Sequence, residues 1–164
     1  MDKITPCLWF DGQAEEAARF YTSLFPNSRI DAINRSPADN PSGAKDSVIT
    51  VDFTLAGRSY MALNGGPEFK FNEAISLSID CEGQAEVDRY WDALIADGGE
   101  HSVCGWLKDR FGLSWQVVPR RLVEMYASPD RAGAERAMKA MLEMTKLDVA
   151  ELERAFAGEA VATR

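Results

Sequence analysis

The sequence of 164 residues contains a single histidine, His101, and only three cysteines. With one imidazole available, any transition-metal site would depend on carboxylates, amides or thiols, and no Ser-His-Asp or Cys-His arrangement can be argued. The cysteines, Cys7, Cys81 and Cys104, are odd in number and far apart in sequence. This spacing favours reduced thiols that pack as small apolar residues over a disulfide framework.

Long apolar stretches and basic runs are also missing. No segment approaches the roughly 20 apolar residues that span a bilayer, and residues 1–4 lack the start of a signal peptide. The 26 acidic residues against 18 basic ones give a net charge of −8, which argues against attraction to phosphate backbones. We therefore expect a cytoplasmic protein that has neither a membrane nor a nucleic acid as its partner.

What the sequence does contain is a globular composition and an internal repeat. Hydrophobic residues make up 46% of the chain, enough for one domain or for two small fused units. The tetrapeptide Gly-Gln-Ala-Glu at residues 12–15 recurs at residues 83–86, a shift of 71 residues. The same shift aligns Leu8 with Ile79, so apolar positions of the two copies match even where the residues differ.

Each copy of the repeat predicts a strand, then a helix, then three more strands. Over residues 75–81 apolar side chains alternate with polar ones, the period of a strand with one apolar and one polar face. An apolar helical stripe follows, and Gly98 and Gly99 end it. The three later strands are predicted at residues 29–35, 47–55 and 58–64 in the first copy, and at 99–104, 105–108 and 113–119 in the second.

The last part of the chain predicts helices. Ser128, followed by a proline, is typical of a helix start, and Asp148 with Glu151 resembles a capping box. We expect these helices to cover a sheet edge or to contact a second subunit. A stripe of methionines could be a dimer contact or ordinary core; its members are Met138, Met141 and Met144.

The predicted fold is therefore α+β, with two tandem βαβββ modules followed by C-terminal helices. The modules span about residues 1–70 and 71–119, which together form one domain over residues 1–119. Residues 120–164 form a C-terminal helical extension.

Three segments carry a resemblance to a known family: PCLWFDGQAEEAARFY at residues 6–21, ALNGGP at 62–67 and CGWLKDRFGLSWQVVP at 104–119. In these segments the chain resembles the PhnB-like family, which often carries the label 3-demethylubiquinone-9 3-methyltransferase. That family belongs to the glyoxalase/bleomycin resistance/dioxygenase (vicinal oxygen chelate) superfamily. The resemblance implies paired modules whose curved sheets form an open cleft, in a homodimer with the glyoxalase/bleomycin resistance-like fold.

The resemblance also implies where a divalent metal would bind. Enzymes of the superfamily take one ligand from the first and one from the last strand of each module. In this chain those positions fall at or near four neutral side chains, Thr5, Asn64, Ser76 and Gln116. Such a set lacks the carboxylates and imidazoles that divalent ions prefer, so a divalent metal is disfavoured and the cofactor stays open.

The leading hypothesis is that the cleft binds a small organic ligand, with no reaction assigned. Polar strand faces and aromatic walls are typical of such sites. The predicted ligand-binding residues are Thr5, Trp9, Asn64, Ser76, Ser78, Trp106 and Gln116. Trp115 is more typical of a core, and Asp80 would serve as a general base only if it were desolvated. His101 is expected on the surface.

Other functions stay open at this stage. One is a metal-dependent lyase, isomerase or dioxygenase-like enzyme. Another is a binding or sequestration protein, like the drug-binding members of the superfamily. The third is the methyltransferase of the family label, although the Gly65-Gly66 pair is followed by Pro67 and resembles a turn rather than a cofactor-binding glycine loop.

Overall fold

The structure is a computed structural model that describes residues 3–159, and the chain divides into two compact units, Met1–Phe71 and Asn72–Arg164. The first unit forms one four-stranded sheet in the order β1-β4-β3-β2, with β1 parallel to β4 and the other neighbours antiparallel. Its elements are β1 (Cys7–Phe10), α1 (Ala14–Leu24), β2 (Arg29–Arg35), β3 (Val48–Leu55) and β4 (Arg58–Asn64).

The second unit repeats this plan. Its sheet has the order β5-β8-β7-β6, and β5 is parallel to β8. Its elements are β5 (Ser76–Cys81), α2 (Gln84–Ile95), a 3-10 turn (Ala96–Gly98), β6 (Glu100–His101), β7 (Trp106–Lys108) and β8 (Ser114–Pro119). The shared order of strand, helix and three strands confirms the predicted α+β fold of two tandem βαβββ modules.

One face of each sheet packs against the helix of its own unit. In the first unit α1 turns a fully buried stripe toward β3 and β4, and the rings of Tyr21 and Phe53 lie 6.5 Å apart. The stripe has small residues, Ala14, Ala17 and Ala18, which allow the helix and sheet to approach closely. In the second unit Val87, Trp91 and Leu94 fill the same place on α2. Burying these faces is the main favourable contribution to each fold.

Three helices follow β8 in the second unit: α3 (Arg120–Ala127), α4 (Arg131–Leu142) and α5 (Val149–Ala157). The predicted cap at Asp148 is confirmed, because its side chain accepts a hydrogen bond from the Glu151 N–H at 2.9 Å. The predicted start at Ser128 is wrong: α4 is capped by Asp130, which accepts from the Gly133 N–H. Helix α3 lies within the predicted helical extension over residues 120–164, but its own start and end were not predicted. None of the described helices is long and apolar enough to cross a bilayer.

The methionine stripe is divided between two environments. Met144 is buried in an apolar cluster that the C-terminal helices enclose, and Met141 packs against that cluster. Met138, in contrast, is 47% exposed. The cluster consists of Leu122, Met125, Ala137, Met144, Leu147 and Leu152. The stripe is therefore partly core, and a dimer contact stays a prediction for Met138 alone.

Candidate functional site

The sheet of the second unit has one apolar face and one polar face. Trp115, Val117 and Ile79 are buried on the side of α2, and because side chains alternate along a strand their neighbours point the other way. The strand register places Ser76, Ser114 and Lys108 side by side on β5, β8 and β7, and Ser78, Gln116 and Trp106 in the next row. We call these six residues the polar face. It brings together four residues predicted from the sequence: Ser76, Ser78, Trp106 and Gln116.

Hydrogen bonds and one ion pair organise the polar face. Gln116 Nε2 donates to Ser76 Oγ at 2.9 Å. Lys108 Nζ lies 2.5 Å from Glu73 Oε1, and this bond lowers the pKa of Glu73 and raises the pKa of Lys108. The Ser114 side chain is 1% exposed, and its hydroxyl has no hydrogen-bond partner within residues 3–159. A buried hydroxyl without a partner is rare in a folded protein and needs an explanation.

A cavity of about 460 Å³ lies at the β6–β7 side of this sheet, and of the polar face it is lined by Trp106, Lys108 and Ser114 but not by Ser76, Ser78 or Gln116. Among the residues that line it are Glu73, Cys104, Trp106, Lys108 and Ser114. Its volume falls within the range of roughly 300–1,000 Å³ found for small-molecule sites. We call it the β7 pocket, because β7 supplies both its aromatic and its cationic side chain.

The connection between α4 and α5 holds one wall of the β7 pocket. The turn before β7 has left-handed backbone at Cys104 and Gly105, with φ of 61° and 79°. Their N–H groups donate to the carbonyl oxygens of Met144 and Thr145 at 2.7 and 2.8 Å. A side chain at Gly105 would meet the Val117 carbonyl oxygen at 2.9 Å. This wall was not predicted, because its partners are some 40 residues apart in sequence.

In the first unit, two predicted residues lie at separate places. Thr5 lines a smaller cavity of about 290 Å³ over β2, β3 and β4. Trp9 is half-buried, donates from Nε1 to the Gly66 carbonyl oxygen at 2.8 Å and meets the Phe69 ring edge to face at 5.0 Å. A side chain at Gly65 would overlap the Trp9 ring. The Gly65-Gly66 pair therefore accommodates a tryptophan at the end of β4.

Asn64 lies in the interior of the first unit. It is 8% exposed, accepts from the Ala14 N–H at the start of α1 at 2.9 Å and donates to the Val48 carbonyl oxygen at 3.0 Å. The register shows which residue corresponds to Gln116: Cys7 pairs with Met61 as Ser78 pairs with Gln116. Met61, rather than Asn64, occupies the position equivalent to Gln116. We therefore leave Asn64 out of the proposed ligand contacts.

Replacing Asn64 by alanine should lower the free energy of unfolding by about 2 kcal/mol, because the first turn of α1 and β3 each lose a buried partner. Urea denaturation followed by circular dichroism measures this. Asn34→Ala is the control, since Asn34 is exposed and bonds only side chains of β3; we expect a change within about 0.5 kcal/mol. Equal effects of the two substitutions would contradict the structural role of Asn64.

The side chains at the metal-ligand positions do not fit a divalent ion. With Met61 in place of Asn64, the four positions hold two hydroxyls, a thioether and an amide, whereas hard divalent cations are bound through carboxylates and transition metals through imidazole or thiolate. Over the described range, no group of three or more His, Cys, Asp or Glu side chains is placed to hold a metal. We derive no chemical step through a metal.

Other candidate residues have structural surroundings. Asp80 is exposed and pairs with Arg120 at 2.8 Å, so it lacks the desolvation that a general base needs. Trp115 is buried, as expected for a core residue. Burial, with Glu86 and Asp80 nearby, raises the pKa of the Cys81 thiol to about 12. The prediction that all cysteines pack in the core is wrong for Cys7, which is exposed.

A family model described as 3-demethylubiquinone-9 3-methyltransferase matches residues 2–118. The chain belongs to this family. The match confirms the resemblance found in the three sequence segments. Helices α3–α5 lie beyond the residues that the family model matches.

Solved structures agree with this family. A PhnB protein from Bacillus cereus, described as a 3-demethylubiquinone-9 3-methyltransferase, is 38% identical over 72% of this chain and 99% of that one, with a TM-score of 0.65. Protein PA1353 from Pseudomonas aeruginosa is 24% identical over 73% and 98% of the two chains, with a TM-score of 0.59, a similarity of fold.

A third solved structure, a glyoxylase/bleomycin resistance protein/dioxygenase domain from Frankia sp., is 12% identical over 73% of this chain and 92% of that one, with a TM-score of 0.45. We base no argument on so low a similarity. No curated protein matches the chain significantly.

Proposed function

We propose that this member of the family binds a small organic ligand in the β7 pocket of its second unit. The observation that carries the proposal is a cavity of about 460 Å³ lined by Trp106, Lys108 and Ser114, with the buried Ser114 hydroxyl lacking a hydrogen-bond partner among residues 3–159. An aromatic wall with a few convergent polar groups is the usual composition of a small-molecule site. We assign no reaction to it.

The proposal narrows the ligand site predicted from the sequence. Of the predicted residues only Trp106 lines the β7 pocket, where it offers an indole face to an aromatic or apolar body. Ser76, Ser78 and Gln116 lie on the same sheet face outside the pocket lining, and ligand contacts by them stay predictions. Thr5 and Trp9 belong to the first unit, and ligand contacts by them stay predictions. A cytoplasmic location and a homodimer likewise stay predictions.

The observations favour neither alternative activity. A metal-dependent lyase, isomerase or dioxygenase would need better donors than the hydroxyl and amide of Ser76 and Gln116. A methyltransferase would need a site for a nucleotide-type cofactor. The Gly65-Gly66 pair does not provide one, because the Trp9 ring packs against Gly65 and its Nε1 donates to the Gly66 carbonyl oxygen.

Binding of planar aromatic fragments tests the proposed function. Protein-observed NMR resolves the indole N–H signal of each tryptophan, and we expect fragments that bind to shift the signal of Trp106. Trp106→Ala should weaken binding of those fragments at least ten-fold, about 1.4 kcal/mol. Phe69→Ala, which removes an exposed aromatic ring from the first unit, should leave it unchanged. If no fragment in the screen shifts the Trp106 indole N–H signal, the proposal is wrong.

A further inference from the structure

The Lys108–Glu73 ion pair belongs to the lining of the β7 pocket, as does Ser114. Strand β8 lies between β5 and β7, and the register aligns Ser76, Ser114 and Lys108 across the three strands. Glu73 precedes β5 by three residues. Lys108 is the cross-strand neighbour of Ser114, and Glu73, Lys108 and Ser114 all line the β7 pocket.

Two hydrogen-bond donors of the β7 pocket, Lys108 and Ser114, lie on neighbouring strands. Lys108 carries an ammonium with three donors, and the Ser114 hydroxyl has no partner in the described part of the chain. Neighbouring strands lie about 4.8 Å apart, so these groups can converge on one small acceptor group. A carboxylate, which only accepts hydrogen bonds, complements such a row of donors.

Glu73 places a carboxylate at this row and is free to leave it. Its side chain is 65% exposed, and it lies on the connection between β4 and β5, which has neither helix nor strand. Exposed ion pairs are weak in water, so another carboxylate can take the place of Glu73 on Lys108 at little cost. Glu73 in this arrangement is an internal substitute for an acidic ligand.

We propose that the β7 pocket selects organic monocarboxylates, with the ligand carboxylate displacing Glu73 from Lys108 and accepting a hydrogen bond from Ser114. The proposal rests on the proposed function and specifies its ligand class. Trp106 lies two residues before Lys108 on the same face, about 7 Å along the strand, and packs against the aromatic or apolar body of the ligand. Glu100 is the cross-strand neighbour of Lys108 on β6 and also lines the pocket. Its carboxylate repels a second negative charge on the ligand and so disfavours dianions.

Two matched probes test the charge requirement. We expect 3-phenylpropionate to bind the wild-type chain at least ten-fold more tightly than its neutral analogue 3-phenylpropionamide, measured by NMR titration at pH 7. Glu73→Gln should strengthen binding of the acid three- to ten-fold, because the competing carboxylate is gone, and should leave binding of the amide unchanged. Lys108→Met should abolish the preference for the acid.

Further variants separate a direct contact from a general charge effect. Ser114→Ala should weaken binding of the acid about five-fold with the circular dichroism spectrum unchanged, and Ser114→Thr should restore it. Glu135→Gln is the matched control, because it removes a carboxylate from another exposed ion pair, with Lys139 on α4 at 2.6 Å. It should change neither affinity.

The outcomes separate this inference from the proposed function. If both probes shift Trp106 with equal affinity, or if Glu73→Gln fails to strengthen binding of the acid, the monocarboxylate inference is wrong and the proposed function stands. If neither these probes nor the neutral fragments perturb Trp106 in any variant, the proposed function fails and the inference fails with it.

Discussion

Replacing Asp109 by alanine should lower the free energy of unfolding by about 4 kcal/mol. This side chain is 3% exposed, and its carboxylate accepts from the N–H groups of Phe111 and Leu113 at 2.9 and 3.1 Å and from Trp115 Nε1 at 2.8 Å. Alanine removes the acceptor from all three donors. Each buried donor left without a partner costs about 1–3 kcal/mol, so the turn between β7 and β8 loses its main support.

Urea denaturation followed by circular dichroism measures this loss. Asp92→Ala is the matched control, because Asp92 is a 68% exposed side chain on α2 whose contact with Lys146 is 3.5 Å long; we expect a change within about 0.5 kcal/mol. Asp109→Asn should give an intermediate loss, since its amide keeps one oxygen acceptor. A change below about 1 kcal/mol for Asp109→Ala would show that the turn does not depend on this carboxylate.

Leu147→Ala should lower the free energy of unfolding by about 3 kcal/mol, the usual cost of truncating a fully buried leucine. Leu147 is 1% exposed and belongs to the apolar cluster of the C-terminal helices. Its side chain also lies directly beneath Gly105. We therefore expect the substitution to loosen the wall of the β7 pocket as well, with faster amide hydrogen exchange at Cys104 and Gly105.

Leu142→Ala provides the control within the C-terminal extension. Leu142 is the last residue of α4 and is 55% exposed, so truncating it should cost less than about 1 kcal/mol and leave hydrogen exchange at the pocket wall unchanged. If the two leucine variants lose the same stability, the cluster does not anchor the helices. If Leu147→Ala destabilises the chain without affecting exchange at Cys104, the wall is held by other contacts.

Local patterning predicted most strands because its signals come from neighbouring residues. The predicted strands at residues 29–35 and 58–64 coincide with β2 and β4, where turn residues mark both ends. The start of helix α3 was not predicted, because no local signal marks it. It follows β8 directly after Pro119, and that residue makes no side-chain capping bond. Without a cap or a break in the sequence, no local signal separates the strand from the helix.

The face on which a residue lies was harder to predict, as Asn64 shows. A residue near the end of a strand changes sides when the pairing shifts by one position, and the pairing of Cys7 with Met61 is a contact between segments about 50 residues apart. Ser76 and Gln116 raised no such difficulty. Alternation within β5 assigned the face of Ser76, the family resemblance pointed to Gln116 on β8, and the pairing of β5 with β8 places both on the polar face.

The repeated order of strand, helix and three strands, the polar alternation in β5 and the cap of α5 could all be read from the residues, because periodicity and capping depend on groups within a few positions of one another. The partners of polar side chains were decided only by tertiary structure. Asn64 has both of its amide groups bonded, Asp109 supports a turn, and Ser114 lies buried next to Lys108 without a hydrogen-bond partner for its hydroxyl among residues 3–159. Pairing between strands brings together residues that are distant in sequence, and no local pattern records which of them meet.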